Sequence, residues 1–280
     1  MPIDLHCHTK VSDGSTGVDE IIFISRRMGI KNISITDHDT FAGAKRGMVI
    51  GNRFGVNVIL GVEFSSFIPE MNKEIHILCY MCDYPDRLEG ICSYNSRVRK
   101  ETSGKIVEAV GKSFPINSMM VNLKSRGSSG IFKNHIVQAV MDTGYVIPIY
   151  SIAYKKIFSL DSVKQIQAHY CSPEEIISKI HQSGGLAVLA HPCEDDISDV
   201  IPKLIGLDID GLEIYHPSIS PDLCEKVEKI TKKYDLLEIG GSDFHGMYSI
   251  GMRYLNQFTT SDEMIKKMLT RKNEILKRFR

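Results

Sequence analysis

Two rhythms of apolar and polar residues alternate along this 280-residue chain. Short runs rich in Ile, Val and Leu ("NISIT", "VNVILGVE", "EIHILCYM", "LAVLAH", "IDGLEIYH" and "LLEIGGSD") read as strands buried on both faces, the habit of parallel sheets. Stretches with helical spacing lie between them. Val18 to Met28 repeats apolar residues at that spacing and stops at Gly29. Ser172-Pro173-Glu174-Glu175 combines an N-cap serine, a proline at the first helical position and a capping-box glutamate. Thr260 and Glu263 repeat the box before a final basic helix. Such alternation predicts right-handed βαβ units, hence a doubly wound sheet or a barrel. From about Arg87 to His169 the rhythm changes to long helical patterns with basic residues and a flexible Ser/Gly-rich link, "SRGSSG". Residues 87–169 therefore read as a helical subdomain inserted between 1–86 and 170–280.

Charge and cysteine content narrow the function classes. Lys+Arg and Asp+Glu both total 34, so no global field draws the chain to nucleic acid or a membrane, and any phosphate contact must be local. No stretch approaches a membrane span and the N-terminus lacks a secretory pattern, so a cytoplasmic protein with no membrane partner is expected. The 7 cysteines are scattered, which suits reduced thiols. Cys79 and Cys82 form one C-x-x-C with no second pair to complete a zinc site.

The chemistry-bearing residues gather at the strands. His6 and His8 lie on the first run, Asp37 and His38 end the second, and Glu63 ends the third. His76 lies on the fourth, His191 ends the fifth, His216 ends the sixth, and Asp243 and His245 end the last. Carboxyl ends of parallel strands are where ligands bind, because the loops there converge on a rigid frame. Residues i and i+2 of a strand share a face, so His6 and His8 can reach one ion. A lone strand histidine such as His76 is ordinarily a hydrogen-bonded core residue. Several imidazoles buried beside Asp37, Glu63 and Asp243 would instead carry a desolvation cost of several kcal/mol without strong partners. Divalent cations are such partners, and His/carboxylate sets suit Zn²⁺, Mn²⁺ or Fe²⁺.

The ordered set "DLHCHTKVSDGS", "ISITDHDTFAG", "GVEFS", "EIHIL", "LAHP", "GLEIYHP" and "GGSDFHG" resembles the PHP (polymerase and histidinol phosphatase) family of metal-dependent phosphoesterases. The resemblance implies a distorted (β/α)7 barrel of the amidohydrolase-like group, with two or three metals at the carboxyl ends of its strands. It implies one metal held by His6, His8, Glu63 and Asp243, and a second by Glu63, His76 and His191. A third would be held by Asp13, His38 and His245, with Asp13 where some relatives use histidine. That replacement is similar to the branch of nucleoside 3′,5′-bisphosphate phosphatases and 5′-acting exoribonucleases.

A water held between two such cations is hydroxide near neutral pH and is the expected nucleophile on phosphorus, while the cations neutralise the non-bridging oxygens. His216 is the candidate acid for the leaving alkoxide beside Asp243; phosphate binding and capping of the strand are its other open roles. Asp37 is expected to orient His38, and Asp39 to cap the next helix. Substrate contacts are expected from the insertion, where "GIFKNHIVQAVMDTGY" reads as a helix with Lys133 and His135 in its first turn, favourable to phosphate. Relatives commonly carry Arg at the position of Lys133, and Arg126 is the candidate to compensate. The basic C-terminal "KKMLTRKNEILKRFR" reads as a solvated amphipathic helix rather than an RNA contact.

The expected function is hydrolysis of phosphate monoesters of a nucleotide-type substrate, a nucleoside 3′,5′-bisphosphate or the 5′ end of a short RNA, with no protein partner implied. The alternatives are a phosphatase for a sugar or histidinol phosphate and a non-catalytic metal-binding module. A third possibility is an amidohydrolase-type deaminase or C–N hydrolase, for which this chain shows no barrel lysine placed to bridge two metals.

Overall fold

The computed structural model describes residues 3–147, 149–249, 251 and 253–278. One 7-stranded sheet runs in chain order, formed by β1 (Ile3–Asp4), β2 (Asn32–Ile35), β3 (Asn57–Ile68), β4 (Lys73–Tyr80), β5 (Leu186–Leu189), β6 (Gly211–Tyr215) and β7 (Leu237–Gly240). It curls until its edges nearly meet. Beyond β1, Cys7 bridges Phe244 in parallel, Asp243 N–H donates to His6 O at 2.8 Å, and His8 N–H donates to Phe244 O at 2.9 Å. Closure needs the two backbones in contact at Gly241, where an added Cβ would stand 2.4 Å from His6 Cβ and 2.6 Å from His6 N. The result is the distorted barrel expected from the sequence.

One strand departs from the expected all-parallel pattern. β4 runs antiparallel to both β3 and β5, while the other neighbours are parallel. The reason is the link between β3 and β4: a single 3-10 turn over Pro69–Met71, closed by Asn72 at φ 51. A parallel return needs a dozen or more residues, and "PEMN" reverses the chain at once. His76 therefore enters the site from the middle of an antiparallel strand, not from a strand's carboxyl end.

Helices α1 (Val18–Arg27) and α2 (Ala42–Phe54) cover β1 to β3 through a cluster of Ile21, Ile22, Ile33 and Ile35. α8 (Pro173–Gln182), α9 (Val200–Ile205) and α10 (Pro221–Tyr234) cover β3 to β6. α8 starts as its sequence predicts, with Ser172 Oγ accepting from Glu175 N–H at 3.3 Å. α11 (Asp262–Arg278) buries Met264, Met268 and Ile275 against the sheet. Its cap is Ser261, whose Oγ accepts from Met264 N–H at 3.1 Å. Thr260, the expected cap, is committed elsewhere: its hydroxyl accepts from Gly240 N–H at 2.8 Å and fastens the helix start to β7. Phe279 and Arg280, the end of the basic stretch, lie outside the described residues.

Between β4 and α8 come α3 (Glu89–Gly111), α4 (Ser118–Lys124), α5 (Lys133–Asp142), α6 (Tyr150–Phe158) and α7 (Asp161–Lys164). They surround an apolar cluster of their own that includes Ile106, Val110, Val121, Ile136, Val140 and Ile157. The first half of α3 faces the barrel: Asn95 Nδ2 donates to Ser65 O and Asp39 Oδ1, both at 2.7 Å. The Ser/Gly-rich link is pinned rather than loose. Ser129 N–H donates to Val11 O at 2.7 Å, and Ser128 Oγ donates to Ser12 O at 2.5 Å.

No helix among the described residues is long and apolar enough to cross a membrane.

Candidate metal centre

The extended chain after β1 sends His6 and His8 to the same face, both fully buried, with their Nε2 atoms 3.1 Å apart. Glu63, in the middle of β3, reaches both rings with Oε2, at 3.4 and 3.2 Å. Asp243 closes the group with Oδ1, 3.5 Å from His6 and 3.4 Å from His8. The other oxygen of Glu63 meets a second pair. Oε1 lies 3.1 Å from His76 Nδ1 and 3.2 Å from His191 Nε2, and those two nitrogens are 3.3 Å apart. A third group forms around Asp13, whose Oδ2 is 3.2 Å from His245 Nε2 and 3.6 Å from His38 Nε2. His38 also turns Nδ1 to Glu63 Oε2 at 3.2 Å. All nine residues expected to hold metals thus converge. Two of them depend on uncommon backbone: His191 has φ 28 and Asp243 φ 47.

Donor chemistry tests whether metals fit here. Nitrogen and oxygen ligands about 2.0–2.2 Å from one ion stand roughly 3.0–3.6 Å from each other, the spacing found in all three groups. His8 Nδ1 and His38 Nδ1 are buried with no hydrogen bond of good geometry, although carboxylate oxygens lie 3.4 Å from the first and 3.2 Å from the second, a cost a native site carries only for a reason. Without cations the charges trap protons. Burial would lower His8 and His76, yet Asp13 and Glu63 beside His8, and Glu63 and Glu74 beside His76, lift both to about 10. Burial would raise Glu63, but the rings of His38, His76 and His6 hold it well below the ordinary carboxylate range. Cations entering the site must therefore displace imidazole protons, so loading releases protons to solvent. The residues fit divalent ions of the kind that prefer His and carboxylate donors.

Residues 4–110 match the family pattern described as the PHP domain. The chain resembles the PHP family over that segment. It is 28% identical to a phosphoribosyl 1,2-cyclic phosphate 1,2-diphosphodiesterase from Eggerthella lenta, over 88% of this chain and 94% of that protein. It is 27% identical to the 5′-3′ exoribonuclease Rnm of Salmonella typhimurium, over 86% of this chain and 84% of that protein. Among solved structures, a candidate metal-dependent phosphoesterase from Bifidobacterium adolescentis superposes with a TM-score of 0.84 at 25% identity, covering 97% of this chain and 98% of that one. The chain is accordingly a metal-dependent phosphoesterase.

Behind the histidine and carboxylate cluster stand residues that sequence reasoning left unassigned. Glu213 on β6 is fully buried; its Oε1 is 3.0 Å from His6 Nδ1, and its Oε2 accepts from His191 N–H at 2.8 Å. One carboxylate thus orients a residue of the first group and a residue of the second. The signal was present in "GLEIYH", a charge between two buried aliphatics. The Asp37 carboxylate makes no hydrogen bond to the His38 ring. It accepts from Thr9 N–H at 2.8 Å and Ser12 Oγ at 2.7 Å, and so braces the loop that carries Asp13. Asp39 does not cap α2 either. It accepts from Ser65 N–H at 3.1 Å and pairs with Arg99, because its own φ of 53 turns it toward β3 and α3.

A cavity of about 460 Å³ opens over the cluster, walled on the far side by residues of the helical block, among them Arg99, Phe132, Lys133, Tyr150 and Lys164. Lys133 is in it. His135 and Arg126 are not among its lining residues. His135 is buried at the start of α5, where Nδ1 accepts from Phe132 N–H at 3.1 Å, and Arg126 is exposed. His216 is also absent from the lining. It is 1% exposed, with Nδ1 2.6 Å from Ser218 Oγ and Nε2 3.3 Å from Asp243 Oδ2. That position behind Asp243 suits holding the carboxylate, not reaching a leaving group. Arg253, unassigned from sequence, pairs with Asp243 from the cavity side.

Proposed function

We propose that this protein hydrolyses phosphate esters of a nucleotide-type substrate, a nucleoside 3′,5′-bisphosphate or the 5′ end of a short RNA. One observation carries the reading: three donor groups, two of them sharing Glu63, sit beside a single cavity whose opposite wall combines cations with aromatic rings. A volume of about 460 Å³ lies within the range that holds a nucleotide-sized ligand. Phe132 stacks near His38, with centroids 5.8 Å apart, and Tyr150 stacks near Tyr248 at 6.0 Å, so aromatic side chains line the wall where a base would rest. Asp13 in the third group, and a relative named as an exoribonuclease, support the same branch.

When bound, two or three divalent cations (Mn²⁺, Fe²⁺ or Zn²⁺) supply Lewis-acid activation of water and neutralise charge on the phosphoryl oxygens. The chain's own part is positional. Glu63 and Asp243 bring negative charge between histidine rings, Glu213 and His216 hold His6 and Asp243 in place, and Lys133 and Lys164 attract the anion. The helical block 87–169 acts as the substrate-binding subdomain, since it contributes the cavity's cations other than Arg253. The seven cysteines of the whole chain are free thiols, which fits a reducing cytoplasm.

The test is turnover by the purified, Mn²⁺-loaded protein. Adenosine 3′,5′-bisphosphate, a short 5′-phosphorylated RNA, phosphoribosyl 1,2-cyclic phosphate and histidinol phosphate would be offered side by side. Faster hydrolysis of either of the first two is the expected result. Activity confined to the cyclic phosphate or to histidinol phosphate would overturn the substrate class, and failure to bind metal or cleave any ester would leave a non-catalytic module.

A further inference from the structure

The cavity wall contains a guanidinium that the metal cluster does not use and the sequence motifs did not mark. Arg99 stands on α3 four residues after Asn95, so both side chains leave the same helix face. Its Nη2 donates to the Asp39 carboxylate and, at 2.7 Å, to Ser65 Oγ. Its Cζ lies 4.5 Å from the centre of the Phe132 ring and 5.1 Å from that of Tyr170. The side chain is only 13% exposed, and the exposed part lines the cavity. Two aromatic rings and two acceptors therefore fix the plane of the group before any ligand arrives.

The placement of its hydrogen bonds is informative. Both of these bonds run from Nη2, and the Tyr170 hydroxyl is a further polar neighbour of the guanidinium. A guanidinium has five N–H donors in a rigid fork, matched to two oxygens of a phosphate. An immobilised fork whose Nε and Nη1 are not taken by Asp39 or Ser65, on a phosphoesterase cavity, is a preorganised anion site, because little rotamer freedom remains to be lost on binding. It also resolves the departure at Lys133. A lysine there attracts an anion as a point charge but cannot read its shape, and Arg126 is outside the cavity lining. Arg99 provides the fork from a different helix.

We propose that Arg99 binds the second phosphoryl group of the substrate, the one that is not hydrolysed, and so selects doubly phosphorylated nucleotides over simple monoesters. This rests on the nucleotide reading above. The experiment compares Arg99→Met with wild type on adenosine 3′,5′-bisphosphate and on p-nitrophenyl phosphate, with Asn95→Ala as the control that loosens the same tether to Asp39 and Ser65 but keeps the guanidinium. Arg99→Met should lower the kcat/KM preference for the bisphosphate at least tenfold, mostly through KM, while Asn95→Ala changes both substrates in parallel. Calorimetry should show the same loss in bisphosphate affinity, with the affinity for inorganic phosphate changed less. An unchanged preference in Arg99→Met, or a parallel loss on both substrates like that of Asn95→Ala, overturns the assignment. If wild type cleaves p-nitrophenyl phosphate but not the bisphosphate, the nucleotide reading fails. The bisphosphate is then measured as an inhibitor, and a Ki equal in wild type and Arg99→Met overturns the Arg99 site as well.

Discussion

Glu213→Gln removes one charge from a fully buried position and leaves the shape almost unchanged. The carboxylate faces two donors, His6 Nδ1 at 3.0 Å and the His191 backbone N–H at 2.8 Å. An amide offers one acceptor oxygen, so its NH₂ must face one of those donors, and a buried donor left unpaired costs about 1–3 kcal/mol. The loss falls on ligand orientation in two metal groups at once, since His6 belongs to the first and His191 to the second. Replacing such an outer carboxylate typically weakens metal binding about 10–100-fold, equivalent to about 1.4–2.7 kcal/mol. The assay titrates metal-stripped wild type and variant with Mn²⁺ or Zn²⁺ against a chelating indicator, with circular dichroism to verify folding. Phosphate release at saturating metal is then measured separately. A folded Glu213→Gln protein that binds metal within threefold of wild type would refute the claim that this carboxylate organises both groups.

Two further outcomes test the geometry away from the ions. Burial holds the His135 ring down at about 4, against 6.5 in an unfolded chain, with the nearby Asp13 charge opposing the shift only in part. As pH falls through 6.5 the unfolded state takes up a proton that the folded state refuses until about 4, so the stability present above 6.5 is lost across that window, by about 2 kcal/mol at pH 5. His135→Gln keeps an acceptor for Phe132 N–H and cannot titrate; denaturant unfolding at pH 7.5 and pH 5 should show wild type losing about 2 kcal/mol more than the variant, and equal losses would contradict the burial argument. Gly241→Ala would drive a methyl into the His6 backbone at the seam where the barrel closes. A destabilisation of about 3 kcal/mol is expected, at the upper end for overpacking because backbone cannot swing aside, and an unchanged melting temperature would show that the seam is slack.

Much of the centre was legible in the sequence because metal ligation constrains residue type more tightly than position. A histidine pair at i and i+2, and acids and histidines at successive strand ends, have few apolar explanations, and all nine expected ligands meet in space. The strand-rich core was readable for a similar reason, since runs such as "LAVL" bury every residue. What the sequence could not determine were contacts between residues distant along the chain. Asp39 reads as a helix cap from its neighbours, yet a positive φ points it across 60 positions to Arg99. His135 and Arg126 read as phosphate contacts in the sequence, but helix packing buries and neutralises the ring of one, and the other side chain is exposed and outside the cavity lining. Glu213 looks like a charge misplaced in an apolar strand until the barrel closes and His6 and His191 arrive on either side of it. Residue identity set which atoms could bind a metal; only closure of the sheet, with the helical block packed over its mouth, decided which of the remaining polar groups face the ions, the cavity or the core.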